Sequence, residues 1–211
     1  MQISIIDYGL GNLYSLLNAF MHCGVEAVIT NDPQKLSKSD VLVLPGVGAF
    51  RDGMAKLKTL RIDKIIKDHV LKKKLILGIC LGMQLLFKNS EEFGQHQGLG
   101  LIEGEVKYFT SLDSFDHQPK IPHIGWNEVK PIGRSHLTKN LNHKDMYFAH
   151  SLCVLTGKPE ATLATASYGN IEFAVIIAKN NIIGCQFHHE KSSSGGLTFI
   201  SNFIEMARKR I

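Results

Sequence analysis

The sequence predicts an α/β protein of one domain (residues 1–211), built on a mixed, mostly parallel central sheet flanked by helices, with added antiparallel strands. Three observations predict it. Short apolar runs alternate with 3.6-periodic stretches through residues 1–90, and the texture changes to successive strand-like pieces from Gly100. The chain of 211 residues, 44% of them apolar, is also long enough to bury one large core.

The elements follow in order. Met1 to Ile6 is a β-branched apolar run stopped by DYGLGN, after which Leu13, Leu16, Leu17 and Phe20 share one helical face as far as Gly24. Ala27 to Thr30 and Val41 to Leu44 read as short buried strands, with a polar segment between them and a PGVG turn after the second. A helix from Asp52 to Leu71 then leads into a strand over Leu75 to Ile79, completing the alternation expected of a parallel sheet covered on both faces. Beyond Gly100 come LIEGEVKYF, a polar loop through HQPK, IGWNEV, MYFAHSLCVL and ATLATASYG. IEFAVIIAK and NIIGCQF follow, joined as a hairpin at Lys179 to Asn181. The last helix, Gly196 to Arg210, aligns Leu197, Ile200, Ile204 and Ala207.

Composition narrows the function classes. No apolar run is long enough to span a membrane, and the N-terminus lacks the basic and apolar regions of a secretion signal, so a cytoplasmic protein without membrane contact is expected. The formal charge of +5 is scattered apart from LKKKL and ARKRI, which lack interleaved aromatics and read as solvated helix ends rather than a nucleic-acid site. The four cysteines show no CxxC spacing and no HExxH is present, so neither a metal nor another cofactor is expected.

One cysteine stands apart. In LGICLGMQLL, Cys80 is fenced by Gly78 and Gly82 at a strand-to-helix connection, the cysteine form of the GxSxG nucleophile elbow. Such a turn projects its side chain at the carboxyl end of the sheet, and the helix start beneath it favours a thiolate and offers the Leu81 N–H to an oxyanion. The pentapeptide by itself equally fits a buried cysteine between two glycines that permit close strand-to-helix packing. A nucleophilic cysteine needs an imidazole as base and a group to orient it. In GCQFHHEKSS, His188 and Glu190 follow an apolar strand, and in extended chain they face the same way while His189 points to the other side. Two adjacent histidines on a strand cannot both face one metal ion.

GICLGMQLLF, QFHHEKS, PGVGAF and IIDYGLGN together resemble, in order, the motifs of the class I (triad-type) glutamine amidotransferases, whose fold is flavodoxin-like. PHIGWNEV and YFAHS are similar to stretches of those members that serve as the glutaminase subunit of imidazole glycerol phosphate synthase. The resemblance implies that Cys80 is the nucleophile, His188 its base and acid, and Glu190 the orienter. It implies an oxyanion hole from the backbone of Val47, Gly48 and Leu81, and a grip on the amino-acid end of L-glutamine by Gln84 and Glu92 with the backbone of Ser151 and Leu152. It further implies that Asn12, Tyr147 and Lys191 meet a (β/α)8-barrel cyclase subunit, which takes up the ammonia as the other half of a heterodimer in histidine biosynthesis.

The family pattern is FHPEKS, and here His189 replaces the proline. Loss of a residue that fixes φ loosens the chain there without removing a catalytic group, so glutaminase chemistry is expected to survive. The change leaves open a paralogue serving another synthase, such as a sugar amidotransferase of surface-polysaccharide biosynthesis. A DJ-1-like or PfpI-like hydrolase would also carry an elbow cysteine, but the distal FHxE pair distinguishes this chain. A non-enzymatic regulatory subunit would not need Cys80, His188 and Glu190 intact.

Overall fold

The computed structural model describes residues 1–116 and 119–210, so part of the HQPK loop, His117 and Gln118, lies outside the described residues. Its elements are β1 (Ile3–Ile6), α1 (Leu13–His22), β2 (Ala27–Thr30), α2 (Pro33–Lys38), β3 (Val41–Leu44), α3 (Phe50–Thr59), α4 (Ile62–Leu71), β4 (Leu75–Ile79) and α5 (Leu81–Leu85). There follow β5 (Phe87–Ser90), β6 (His96–Gln97), β7 (Ile102–Tyr108), β8 (His123–Pro131), β9 (Lys144–His150), β10 (Leu152–Thr156), β11 (Thr162–Tyr168), β12 (Ile171–Lys179), β13 (Ile182–Cys185) and α6 (Ser193–Arg208).

The main sheet runs β2-β1-β3-β4-β13-β12-β11-β8-β9. Its first five strands are mutually parallel, and from β12 onward the pairing is antiparallel. The parallel block therefore occupies one half of the sheet, from β2 to β13. A second, four-stranded sheet, β10-β7-β5-β6, is separate from it. β1, β3 and β4 are buried at every residue, as strands covered on both faces must be. One face packs Ile5, Val43 and Leu77 under Phe20 of α1 and Phe203 of α6; the other packs Ile6, Leu42 and Ile76 under Leu57 of α3 and Ile66 of α4, with the small sheet adding Val106 and Val154.

Three local expectations change. The single helix over residues 52–71 is two, because Arg61 turns left-handed at φ 57°. MYFAHSLCVL divides at Ser151 into β9 and β10, which belong to different sheets. The helix after Cys80 stops at Leu85, and Phe87–Ser90 leaves as a strand. The polar segment before β3 contains the short helix α2, started by Pro33 with the Asp32 carboxylate accepting from the Gln34 N–H. The hairpin between β12 and β13 pairs Lys179 with Ile182 as expected. The carboxyl ends of β1, β3, β4 and β13 lead into DYGLGN, PGVG, Cys80 and QFHHEKS, so the sheet delivers all four motifs to one edge.

Candidate active site

Cys80 holds φ 53° and ψ −113°, a conformation that side chains with a Cβ seldom adopt. Its N–H donates to the Cys185 carbonyl at 2.8 Å, extending the β4–β13 pairing through the turn. The flanking glycines have a second purpose. A Cβ at Gly78 would press on the Gly82 carbonyl, and one at Gly82 would fall on the Leu44 carbonyl at the start of the PGVG loop. Elbow strain and close packing are thus parts of one construction, and both readings of the pentapeptide describe it.

His188 and Glu190 do meet, but not by strand alternation. β13 ends at Cys185 and residues His189–Lys191 form a 3-10 turn, closed by Ser192 Oγ donating to the His188 carbonyl at 2.6 Å. The turn brings His188 Nδ1 to 3.2 Å from Glu190 Oε1, and His188 lines the same cavity as Cys80. Burial favours a neutral His188, yet the nearby Cys80 and the hydrogen bond and negative field of Glu190 override it and raise its pKa to about 10. Burial likewise opposes charge on Glu190, and the His188 hydrogen bond with the fields of His189 and His188 lowers its pKa to about 2. His189, expected on the other side from His188, does not line the cavity over Cys80, but it meets Glu190: it is buried, with Nδ1 3.3 Å from Glu190 Oε2.

A cavity of about 400 Å³ opens over Cys80. Of the sequence-predicted residues, it is lined by Val47, Gly48, Leu81, Gln84, Glu92, Ser151, Leu152, His188 and Lys191. Gln84 is 5% exposed rather than a surface residue; its Nε2 donates to Leu152 O at 3.4 Å and Gln186 Oε1 at 3.1 Å, so Oε1 is the atom left for a ligand. Glu92 accepts the Phe50 N–H at the start of α3 through Oε2, and burial raises its pKa. Two acceptors on the wall of a cavity that also holds a strained cysteine suit a small molecule carrying an ammonium group and an electrophilic carbon.

Asn12 and Tyr147 lie outside the cavity lining. Asn12 Nδ2 reaches Glu190 Oε1 at 3.5 Å, and the His188 N–H donates to Tyr147 O at 2.9 Å. The Tyr147 ring sits between Trp126 (centroids 4.9 Å apart) and Lys191 Nζ (4.8 Å), next to exposed Ile124 and Trp126. Several participants were not singled out from sequence. Gln186, fully buried, donates to Cys80 Sγ at 3.6 Å; a polar residue interrupting the apolar run of NIIGCQF was the available signal. Tyr8 donates to Pro45 O at 2.7 Å and so ties DYGLGN to PGVG. His150, Pro122, Ile124 and Ala149 also line the cavity, and no periodicity marked them.

Residues 4–206 match the family model described as glutamine amidotransferase class-I. The chain is 40% identical to the imidazole glycerol phosphate synthase subunit HisH of Bacillus subtilis (strain 168), over 99% of this chain and 98% of that protein. It is 44% identical to the subunit of the same name from Chlorobium chlorochromatii (strain CaD3), over 97% and 100%. Among solved structures it is similar to a glutamine amidotransferase (TM-score 0.74, 16% identity, 98% of each chain covered). It is also similar to PurLQS from Thermotoga maritima (TM-score 0.71, 18% identity, 97% and 98% covered), which bears on fold alone. With a family match over nearly its full length and close relatives at 40% identity and above, this chain belongs to the class I glutamine amidotransferases, an enzyme family.

Proposed function

We propose that this chain is a glutaminase subunit, hydrolysing L-glutamine to glutamate and ammonia and passing the ammonia to the (β/α)8 cyclase subunit of an imidazole glycerol phosphate synthase. The observation that carries the reading is the strained Cys80 on the wall of a cavity that His188 also lines, with His188 itself paired with Glu190. The names of its relatives support the choice of synthase.

In this mechanism glutamine enters with its carboxamide over Cys80 and its ammonium toward the free acceptors of Gln84 and Glu92, bounded by the Ser151–Leu152 backbone. The thiolate attacks the carboxamide carbon while His188 holds the proton. The oxyanion that forms is met by the Leu81 N–H, which has no partner within its own helix, and by the Val47–Gly48 backbone. His188 protonates the departing nitrogen, ammonia leaves, and a glutamyl thioester remains on Cys80. Water, deprotonated by His188, then releases glutamate. No cofactor takes part.

Ammonia serves the partner only while neutral and shielded from bulk water. Exposed Val47, Ile124 and Trp126, together with Asn12, Tyr147 and Lys191, form the rim over which the cyclase docks as a heterodimer in the cytoplasm. There the ammonia closes the imidazole ring in histidine biosynthesis. The test is Cys80→Ala in the complex: glutamine-dependent turnover falls at least about a thousandfold, while turnover from added ammonium salt stays at the parent rate. A mutant that still used glutamine would overturn the assignment.

A further inference from the structure

The turn that carries Glu190 holds a second imidazole that the mechanism above does not use. His189 is 4% exposed, and its Nδ1 lies 3.3 Å from Glu190 Oε2, out of line for a hydrogen bond; neither ring nitrogen has a hydrogen-bond partner. The two carboxylate oxygens are thereby divided: Oε1 faces His188 Nδ1 and Asn12 Nδ2, and Oε2 faces His189. A lone pair on Nδ1 would be repelled by a carboxylate oxygen at this distance even off its axis, so we assign the ring proton to Nδ1. The resulting N–H dipole attracts Oε2 without strict alignment.

A ring buried with Nε2 unpaired is a costly way to fill space, because an apolar side chain of that shape would leave nothing unsatisfied. The backbone around it is also constrained: the His189 carbonyl accepts from the Ser192 N–H, and a Cβ at Gly196 of α6 would fall on that same carbonyl. His189 is therefore held in place by packing and not by its ring nitrogens.

We propose that His189 is a positioning residue, gripping the second oxygen of Glu190 so that the carboxylate stays aimed at His188. The inference rests on the glutaminase reading. The titratable groups facing the ring are Glu190 and His188 of its own turn and, across a groove toward α1, His22; the other α1 side chains there, Ser15 and Asn18, are uncharged. Burial lowers the pKa of His189 to about 4, so near neutral pH it acts as a dipole rather than a charge.

The test compares His189→Phe, His189→Gln and Glu190→Gln in the complex with the cyclase subunit. In His189→Phe, kcat for glutamine falls about threefold to tenfold with KM nearly unchanged, and the alkaline limb of kcat/KM moves to lower pH. The shift has this sign because a loosened Glu190 stabilises the His188 imidazolium less. Glu190→Gln moves the limb the same way and further, and His189→Gln, which restores an N–H near Oε2, recovers most of kcat. A His189→Phe protein with the parent's kcat and pH profile, or a His189→Gln no better than Phe, overturns the proposal. A fall in thermal stability without a shifted limb also overturns it and marks the ring as structural. If the parent complex does not hydrolyse glutamine at all, the glutaminase reading fails, and the proposal with it.

Discussion

Cys80 and its partners show how much of the site's chemistry is set by single residues in buried places, and the histidines carry a stability consequence. His69, His123, His150 and His189 are buried, and burial lowers each pKa from 6.5: to about 4 for His69, His123 and His189, and to about 3 for His150. Below pH 6.5 the unfolded chain binds protons that the folded chain refuses, so stability falls as pH drops from about 6.5 to about 4. Glu190 acts lower: its contribution is full above 4.5 and is lost as pH falls toward about 2. His188 has the opposite sign, stabilising below 6.5 and losing its contribution as pH rises toward about 10. The melting temperature should therefore decline between pH 6.5 and 4, before most carboxylates titrate. His69→Gln, which keeps an N–H for the Leu75 carbonyl now 2.9 Å from Nε2 but cannot titrate, should make that decline shallower. An unchanged slope in the variant would show that His69 does not contribute to it.

At the scale of elements, the strand-to-helix junction is fixed by contact between backbones. Gly82 lies where α5 meets the end of β3, and a Cβ there would coincide with the Leu44 carbonyl, an atom that cannot move without dragging the sheet. Gly48, by contrast, has φ +98° and open space around it, so a Cβ there meets only backbone strain. Gly82→Ala should cost at least about 4 kcal/mol, in the range reserved for lesions in the core. Gly48→Ala should cost about 1–2 kcal/mol. Equal melting temperatures for the two variants would contradict the assignment of Gly82 as a contact between elements. Elements buried on both faces were legible because β3 is an unbroken apolar run and β1 and β4 are interrupted only by Ser4 and Gly78. Arg61 and Ser151 were not: the left-handed turn between α3 and α4 and the switch of sheet between β9 and β10 depend on tertiary packing, and neither residue carries a glycine or proline signal.

Across the whole molecule, the site was legible as motifs but not as a three-dimensional arrangement. Cys80, His188 and Glu190 could be named because each lies in a short stretch whose residue types suit its chemistry. The manner of their meeting was misjudged, since a 3-10 turn and not a strand carries Glu190, and this is also why His189 faces the carboxylate. Ile124 of β8 and Ala149 and His150 of β9 were missed, and β8 shows why, since it breaks the usual pattern: His123 turns inward while Ile124 and Trp126 stand 62% and 65% exposed. Large apolar side chains left outside, beside the mouth of a cavity, imply a covering surface. Trp126 is the strongest anchor among them, because its ring is already braced against Tyr147 and its Nε1 donates to the Lys191 carbonyl at 3.3 Å, so little freedom remains to be lost on docking. Trp126→Ala should weaken association with the proposed cyclase partner by about 2 kcal/mol, or about thirtyfold in Kd. Alkylation of Cys80 by iodoacetamide in the isolated chain should proceed at the parent rate, because Trp126 does not line the cavity. Parent affinity in that variant, measured by titration calorimetry, would move the docking surface away from this rim and leave the exit of ammonia at another face.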